Sequence, residues 1–261
     1  MMSFDDLMLA LPVLPWLIPL ILLLAALRFF RRIRLTQRRG AEGEFQVGQV
    51  LERLFRKVRH DLILPDGRGG LTQIDHLVLT PAGLLVVETK NYRGAIFGQA
   101  DEATWTQVLG GKRHALQNPL RQNHAHLKAL QAIGLGIPVL GRVVFTNAAS
   151  FPKGLPEGVS QVHTLRDDLA NLRRGRVPAA IVRAWKILLT HARTDRAARR
   201  AHRRGLRARF GLDSRARHAL TLLMLAVICT GGLAWHQRFS LTSAAIQIHS
   251  AMQAGAAILR R

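Results

Sequence analysis

The chain has 261 residues, of which 48% are hydrophobic, and its 38 Lys and Arg residues outnumber its 16 Asp and Glu residues, for a formal net charge of +22 at pH 7. This length provides for one domain of ordinary size with extensions, and the charge indicates an anionic partner, either nucleic acid, a membrane surface or both. The single cysteine, Cys229, excludes a disulfide framework and a cysteine metal site.

The first predicted element is an apolar segment near the N-terminus. Residues Leu7 to Leu27 contain no charged side chain and are long enough to cross a bilayer. Asp5 and Asp6 precede this segment and arginines follow it, which favours an uncleaved anchor over a cleaved signal peptide. We therefore predict a transmembrane anchor over residues 1–27 and a basic juxtamembrane linker over residues 28–39.

An amphipathic helix is predicted next, over residues 41–58. Val47, Leu51, Leu54 and Val58 recur at helical spacing and define its buried stripe. Glu44 precedes Val47 by three residues and therefore lies on that stripe. Its acid either stabilises the first turn of the helix through the helix dipole or contributes to a site with other carboxylates.

Two strands then form a predicted hairpin. Residues 71–80 and 83–90 are rich in β-branched and aliphatic side chains, and Pro81, Ala82 and Gly83 form the turn between them. The nearly continuous apolar run before Glu88 is typical of a central strand covered on both faces. Because side chains alternate along a strand, Glu88 and Lys90 emerge on one face.

The hairpin pairing places Asp75 beside Glu88, and this pair suggests a metal site. Two carboxylates about 4 Å apart repel by roughly 4 kcal/mol at an effective dielectric constant of 20, and burial adds several kcal/mol for each ion. A divalent cation removes both penalties, and oxygen ligands suit Mg²⁺ or Mn²⁺ better than zinc. We predict the carbonyl of Thr89 as a third ligand and Lys90 as the group that positions an attacking water, which is hydrolytic chemistry.

The rest of the domain reads as a mixture of strands and helices. The patterns predict a strand near 60–64, short strands near 94–98 and 104–109, a helix over 119–133, a buried strand over 139–146, helices over 165–173 and 177–192, and an arginine-rich helix over 193–210 that we expect to lie on the membrane. Trp105 is predicted to pack in the core. For His124 and His126 we expect solvated or hydrogen-bonded roles, since neither shows zinc-ligand spacing.

Taken together, these residues resemble a known family. The motifs are GAEGE from Gly40, TQIDH from Thr72, ETKNY from Glu88 with Gly94, then Trp105, Asn118-Pro119, Gln122 and His126. In this order, over roughly residues 40–150, they are similar to the NERD (nuclease-related) domain. The resemblance implies a restriction-endonuclease-like fold, an α/β structure with a mixed β-sheet flanked by helices, and the Asp…Glu-x-Lys core of nucleases that bind Mg²⁺ and cleave phosphodiester bonds.

The resemblance also implies roles for single residues. Asp75 and Glu88 correspond to the metal ligands, Lys90 to the catalytic lysine and Glu44 to an auxiliary acid. Gln122, on the helix after Asn118-Pro119, corresponds to a polar helix position near the site.

A second apolar segment, Ala219 to Trp235, lies at the short end of the length that spans a bilayer. It follows an arginine-rich juxtamembrane helix at 193–218, which itself follows a helical extension at 151–192, and a tail runs from 236 to 261. Arginine clusters flank the central portion on both sides, so the positive-inside rule places residues 28–218 in the cytoplasm. We therefore expect two transmembrane helices and a multi-pass protein of the bacterial inner (cytoplasmic) membrane.

The sequence predicts a membrane-anchored, Mg²⁺-dependent or Mn²⁺-dependent nuclease acting on nucleic acid, with DNA favoured. The flanking arginines serve anionic membrane lipids, nucleic-acid phosphates or both. Two alternatives stay open: a catalytically silent module on the same fold that binds nucleic acid or a protein, and a scaffold that faces only lipid. The sequence does not indicate an oligomeric state.

Overall fold

The computed structural model describes residues 14–211 and 213–258, with the side chains of residues 240, 241 and 244–258 excepted. It divides into two compact units. One is Thr36–Gly211, and the other comprises Met1–Leu35 and Leu212–Arg261. Residues 1–13 of the predicted anchor lie outside the described part of the chain, as do residues 259–261 of the predicted tail.

The described residues form six α-helices and nine β-strands. The helices are α1 (Leu17–Leu54, preceded by a 3₁₀ turn at Leu14–Trp16), α2 (Pro119–Gln131), α3 (Leu165–Asp168, followed by a 3₁₀ turn at Ala170–Arg173), α4 (Ala179–His191), α5 (Arg196–Phe210) and α6 (Ser214–Ile258). The strands are β1 (Val58–Pro65), β2 (Leu71–Thr80), β3 (Gly83–Lys90), β4 (Gly94–Phe97), β5 (Thr104–Leu109), β6 (Lys112–Gln117), β7 (Val139–Phe145), β8 (Ala149–Ser150) and β9 (Val159–Gln161).

Two sheets organise the unit Thr36–Gly211. The larger has the strand order β1-β2-β3-β7-β9, with antiparallel pairs from β1 to β3 and parallel pairs from β3 to β9. The smaller has the order β6-β5-β4-β8. Helices flank the sheets, and this mixed α/β architecture confirms the predicted fold class and is compatible with a restriction-endonuclease-like fold.

The larger sheet is covered on both faces, as the apolar run in β3 predicts. On one face, Leu84 and Val86 pack with Leu130 of α2 and Trp185 of α4. On the other face, Leu85 and Val87 pack with residues of α1 that include Val47 and Leu51. A third cluster, around Trp105 and Phe145, joins the two sheets, and the prediction that Trp105 is a core residue is confirmed because it is fully buried.

The predicted hairpin strands at 71–80 and 83–90 are confirmed residue for residue. Both predicted ends of the helix at 41–58 are wrong, since α1 already begins at Leu17 and ends at Leu54, and Val58 begins β1. Val58 is apolar and β-branched, so it continues the helical spacing while its backbone already pairs with Val78 of β2. Strands β6, β8 and β9 were not predicted, because β6 is largely exposed and the other two have only two or three residues.

Two helices are long and apolar enough to cross a membrane by length and composition: the helical stretch Leu14–Leu54 and residues Ser214–Phe239 of α6. Their apolar side chains are mostly exposed. Ile21 and Ile228, for example, are 62% and 60% accessible. The described part of the predicted tail, up to Ile258, is helical and continuous with α6.

Asn118 connects the smaller sheet to α2, the helix that carries Gln122 and His126. Its carboxamide oxygen accepts a hydrogen bond from the backbone N–H of Leu120 and caps the helix, while its nitrogen donates to the carbonyl oxygens of Ala100 (3.1 Å) and Glu102 (2.6 Å). The side chain is fully buried, so every lost bond would leave a buried polar group unpaired.

We expect Asn118→Ala to lower the free energy of unfolding by about 2–3 kcal/mol, the sum of a lost helix cap and unpaired buried carbonyls. Thermal unfolding of the full chain in a neutral detergent, followed by circular dichroism, measures the loss. Gln131→Ala, at the exposed end of the same helix, is the matched control and should change stability by less than about 0.5 kcal/mol. Equal midpoints for the two variants would contradict this role of Asn118.

Candidate active site

Asp75 lies where the regular pairing of β2 is interrupted on both sides. Pairing with β3 ends at His76 and Val87, and one position further would bring Asp75 opposite Glu88. Pairing with β1 skips the position between His60 and Leu62, where Asp61 adopts a φ of 52°, a left-handed conformation uncommon for a residue other than glycine. The side chain of Asp75 instead accepts a hydrogen bond from the backbone N–H of Thr89 (2.9 Å).

Glu88 is the most buried acid of the site, with a side chain only 4% exposed. Its Oε1 lies 2.6 Å from Nζ of Lys90, two residues along the same strand and therefore on the same face. Lys90 also donates a hydrogen bond to the side-chain oxygen of Gln122 on α2 (2.9 Å). The structure thus brings together the acid, the lysine and the glutamine that the sequence singled out.

His126 is the close neighbour of Glu88 that the sequence interpretation underrated. Its Nε2 lies 3.1 Å from Oε2 of Glu88, and its Nδ1 hydrogen-bonds with the hydroxyl of Thr72 (2.8 Å). The hydrogen-bonded role that we predicted for His126 is therefore correct, but its position at the site was missed. The available signal was its spacing, because His126 follows Gln122 by four residues and so lies on the same helix face.

Glu44 reaches the site from α1. It is half-buried and lines the same cavity as Asp75, Glu88, Lys90 and Gln122. Burial raises the pKa of Glu44, and the nearby carboxylates of Asp61 and Glu88 raise it further. Glu44 therefore lies beside the other acids of the cavity. The alternative role in the first turn of a helix is wrong, because Glu44 lies far inside α1, which begins at Leu17.

The carboxyl of Asp75 is strongly perturbed. Burial raises its pKa well above the usual value, the charge on Glu88 adds to this effect, and the hydrogen bond from Thr89 opposes it. Asp75 therefore binds a proton more readily than a free aspartate does. A cation at this position would stabilise the ionised form in place of the proton.

Glu88 shows the opposite behaviour. Burial acts to raise its pKa, but His126 and Lys90 outweigh burial and hold the pKa below the usual value. Burial acts to lower the pKa of Lys90, and Glu88 outweighs it, so that this pKa is raised. Glu88 and Lys90 are therefore a buried carboxylate and a buried ammonium that maintain each other's charge.

A pair of histidines supports the site from the α1 side of the sheet. His76, predicted to be structural and to point away from Asp75, is buried and hydrogen-bonds with the hydroxyl of Thr89 (3.1 Å) and with His60 (2.7 Å). Burial lowers the pKa of His76 to about 3, with a further contribution from His60, so this imidazole is neutral. A neutral buried ring positions Thr89 without adding charge to the site.

The acids lie in a cavity of about 710 Å³. Glu44, Asp75, Glu88, Thr89 and Lys90 line it, and basic residues from other elements contribute as well. The predicted site residues therefore share one cavity and do not diverge to opposite sides of the sheet.

The donor set fits a hard divalent cation held by few protein ligands. In the described residues no three His, Cys, Asp or Glu side chains are placed to hold a metal ion by themselves. Mg²⁺ commonly binds through one or two carboxylates and keeps several waters, so Asp75 and Glu88 with a backbone oxygen are sufficient.

Comparison with known proteins identifies the family of the central segment. Residues 39–146 match the model of the nuclease-related domain, which confirms the resemblance predicted for residues 40–150. An uncharacterized protein of Bacillus anthracis is 42% identical over 96 residues, which represent 36% of this chain and 45% of that protein. The match therefore covers less than half of the relative's length, and no solved structure matches the chain.

The Glu88–Lys90 pair generates a stability prediction. Without divalent cations, Lys90→Met should lower the free energy of unfolding by about 3 kcal/mol, because it leaves a buried carboxylate without its ammonium partner. In a Glu88→Gln background the same change should cost less than about 1 kcal/mol, which a double-mutant cycle in thermal unfolding would measure.

The exposed pair Arg193 and Asp195 provides the matched control for this cycle. Their charged atoms are 2.9 Å apart and their side chains are 54% and 48% exposed. Arg193→Met should therefore cost no more than about 1 kcal/mol. If Lys90→Met cost no more than Arg193→Met, Glu88 would not depend on Lys90 for its charge.

Proposed function

We propose that this protein is a membrane-anchored, Mg²⁺-dependent nuclease that hydrolyses phosphodiester bonds, with DNA as the favoured substrate. The observation that carries the proposal is the convergence of Asp75, Glu88, Lys90 and Gln122 in one cavity of a nuclease-related domain. The excess of basic residues supports nucleic acid as the substrate, because phosphate binding is mainly electrostatic.

The side chains have separable roles in this mechanism. Asp75 and Glu88 would hold Mg²⁺ or Mn²⁺ with the carbonyl of Thr89, and Glu44 is the auxiliary acid. When bound, the ion supplies charge neutralisation at the phosphate and acidifies a water molecule. Gln122 holds Nζ of Lys90 at 2.9 Å, so the ammonium is oriented to donate a hydrogen bond to the attacking water or to a phosphate oxygen on which negative charge grows.

One observation favours a second candidate function, a catalytically silent binding module. Both carboxylate oxygens of Glu88 have cationic or polar neighbours within the protein, Lys90 at 2.6 Å and His126 at 3.1 Å. A buried acid that is already compensated does not require a metal. In this case the basic residues would bind nucleic acid or an acidic protein partner without cleaving it.

The exposure of the two apolar helices supports anchoring in the membrane. A helix in the core of a soluble domain buries its apolar face, whereas Ile18, Leu24, Val227 and Ile228 are each more than half accessible. We propose that these helices span the bacterial inner membrane and that the anionic lipids of its cytoplasmic leaflet attract the flanking arginines.

Cleavage by the full-length chain in a neutral detergent tests the catalytic proposal. With Mg²⁺, wild type should cleave single-stranded DNA, duplex DNA or RNA, whereas Asp75→Asn and Glu88→Gln should each lose at least about a hundredfold in rate, because each removes one negative ligand at constant shape. Glu157→Gln, an exposed acid outside the cavity, is the control and should retain wild-type rates. Equal cleavage by wild type and Glu88→Gln would refute catalysis at this site.

Calorimetry separates the two candidate functions. A nuclease should bind Mg²⁺ or Mn²⁺ in wild type and lose that binding in Asp75→Asn. A silent module should show no divalent-ion binding while salt-dependent binding of DNA persists.

Extraction of cell membranes tests the anchoring. An integral protein should remain in the pellet after washing with alkaline carbonate, whereas a protein held only by its arginines should be released because charge contacts with lipid are screened or lost. Complete release of the full-length chain would contradict two spanning helices.

A further inference from the structure

Helix α5 lies outside the matched segment of residues 39–146, yet it forms part of the candidate active site. Three contacts along one helix face hold it against β1, β2 and the loop between them. Arg199 forms an ion pair with Asp61 (2.6 Å), His202 hydrogen-bonds with the carbonyl oxygen of Leu71 (2.9 Å), and Arg209 contacts a carboxylate of the loop. The helix that we expected on the membrane therefore forms a wall of the cavity.

Apart from Asp66 of the β1–β2 loop, the acids of the cavity cluster around Lys90, whereas several cations lie exposed at its rim. The rim cations are exposed and come from three separate elements: Arg68 from the β1–β2 loop, Arg121 and Lys128 from α2, and Arg209 from α5. Within the described residues, the side chains of Arg68 and Lys128 form no hydrogen bond or ion pair. A rim of this kind can bind several successive phosphates of a nucleic-acid strand that passes over the acids of the cavity.

Arg209 is placed to bind one such phosphate. One nitrogen of its guanidinium contacts Oδ2 of Asp66 (3.0 Å), and a guanidinium carries five N–H donors in a planar fork that matches phosphate oxygens. The other oxygen of Asp66 accepts the backbone N–H groups of Arg68 and Gly70, so the loop holds its own shape without Arg209.

Phe210 provides an aromatic surface next to this arginine. It lines the same cavity and is 80% exposed, a high exposure for a large apolar residue. α5 ends at this residue, since Gly211 follows with a φ of 74°. Bases of single-stranded nucleic acids stack on such rings, whereas the bases of a duplex are already stacked on one another.

We propose that α5 is a strand-binding wall of the active site, in which Arg209 binds a phosphate next to the cleaved one and Phe210 stacks on an unpaired base. The substrate class is therefore nucleic acid with a single-stranded segment at the site. The inference rests on the proposed function for the position of the cleaved phosphate. It favours nucleic acid over a lipid surface because the rim cations surround a cavity and do not form a flat face.

Binding without metal tests the inference, with the full-length chain in a neutral detergent and EDTA. Fluorescence anisotropy would follow a labelled oligothymidine of about twenty nucleotides and a duplex of the same length. Arg209→Ala should weaken single-strand binding and reduce the slope of log affinity against log salt by about 0.7, the value for one lost phosphate contact. Phe210→Ala should weaken single-strand binding about fivefold or more and leave duplex binding unchanged.

Two control variants distinguish the binding of a phosphate by Arg209 from a general effect of net charge and from a change in the structure of the loop. Arg207→Ala removes the same charge from an exposed position of α5 that does not line the cavity, and it should bind as wild type does. Asp66→Asn breaks the ion pair with Arg209 but keeps an acceptor oxygen for the loop, and it should bind DNA at least as well as wild type. Equal losses in Arg207→Ala and Arg209→Ala, or a loss in Asp66→Asn as large as in Arg209→Ala, would overturn the inference.

Vesicles containing phosphatidylserine test the membrane alternative. If Phe210→Ala weakened the binding of such vesicles but not of oligothymidine, α5 would be a lipid-binding element and the inference would fail. A failure of the proposed function would give a different result from a failure of this inference. If wild type and Glu88→Gln cleaved equally while Arg209→Ala and Phe210→Ala bound oligothymidine weakly, catalysis would be refuted and the strand-binding wall would stand.

Discussion

The burial of the Glu88 carboxylate is the constraint on which the arrangement of the site depends. A charge that is almost inaccessible to water is costly unless cations or hydrogen-bond donors surround it. Lys90 comes from the same strand, His126 from α2, and Gln122 fixes the lysine. The position of α2, whose first turn is capped by Asn118, therefore determines how well the charge of this one acid in the central strand is compensated.

The sequence predicted the hairpin and the acidic core well because both depend on local pattern. Strands β2 and β3 have strong β-propensity and a short turn, and the alternation along β3 places Glu88 and Lys90 together. The sequence predicted less of the structure around the hairpin and the acidic core. The break in β1 at Asp61 carries no glycine or proline signal, so the sequence predicts an unbroken alternation of side chains between the two faces of that strand.

Other parts of the site were missed because tertiary contacts define them. His126 faces Glu88 only because of how α2 packs on the sheet, although its spacing from Gln122 was visible. α5 is rich in arginine, and its composition alone is equally typical of a helix on a membrane surface. Its contacts with Asp61, Leu71 and Asp66 involve residues more than a hundred positions away, and periodicity contains no information on such contacts.

The hairpin of β2 and β3 also has a consequence for the order in which the protein folds. Asp75, Glu88 and Lys90 all lie on this hairpin, closed at Thr80 and Gly83, so they meet as soon as two adjacent strands pair. The side chains of Gln122 and His126 come from a helix about thirty residues further along. A nascent chain therefore carries two acids and one ammonium through an interval in which dissolved ions, rather than the finished protein, screen their repulsion.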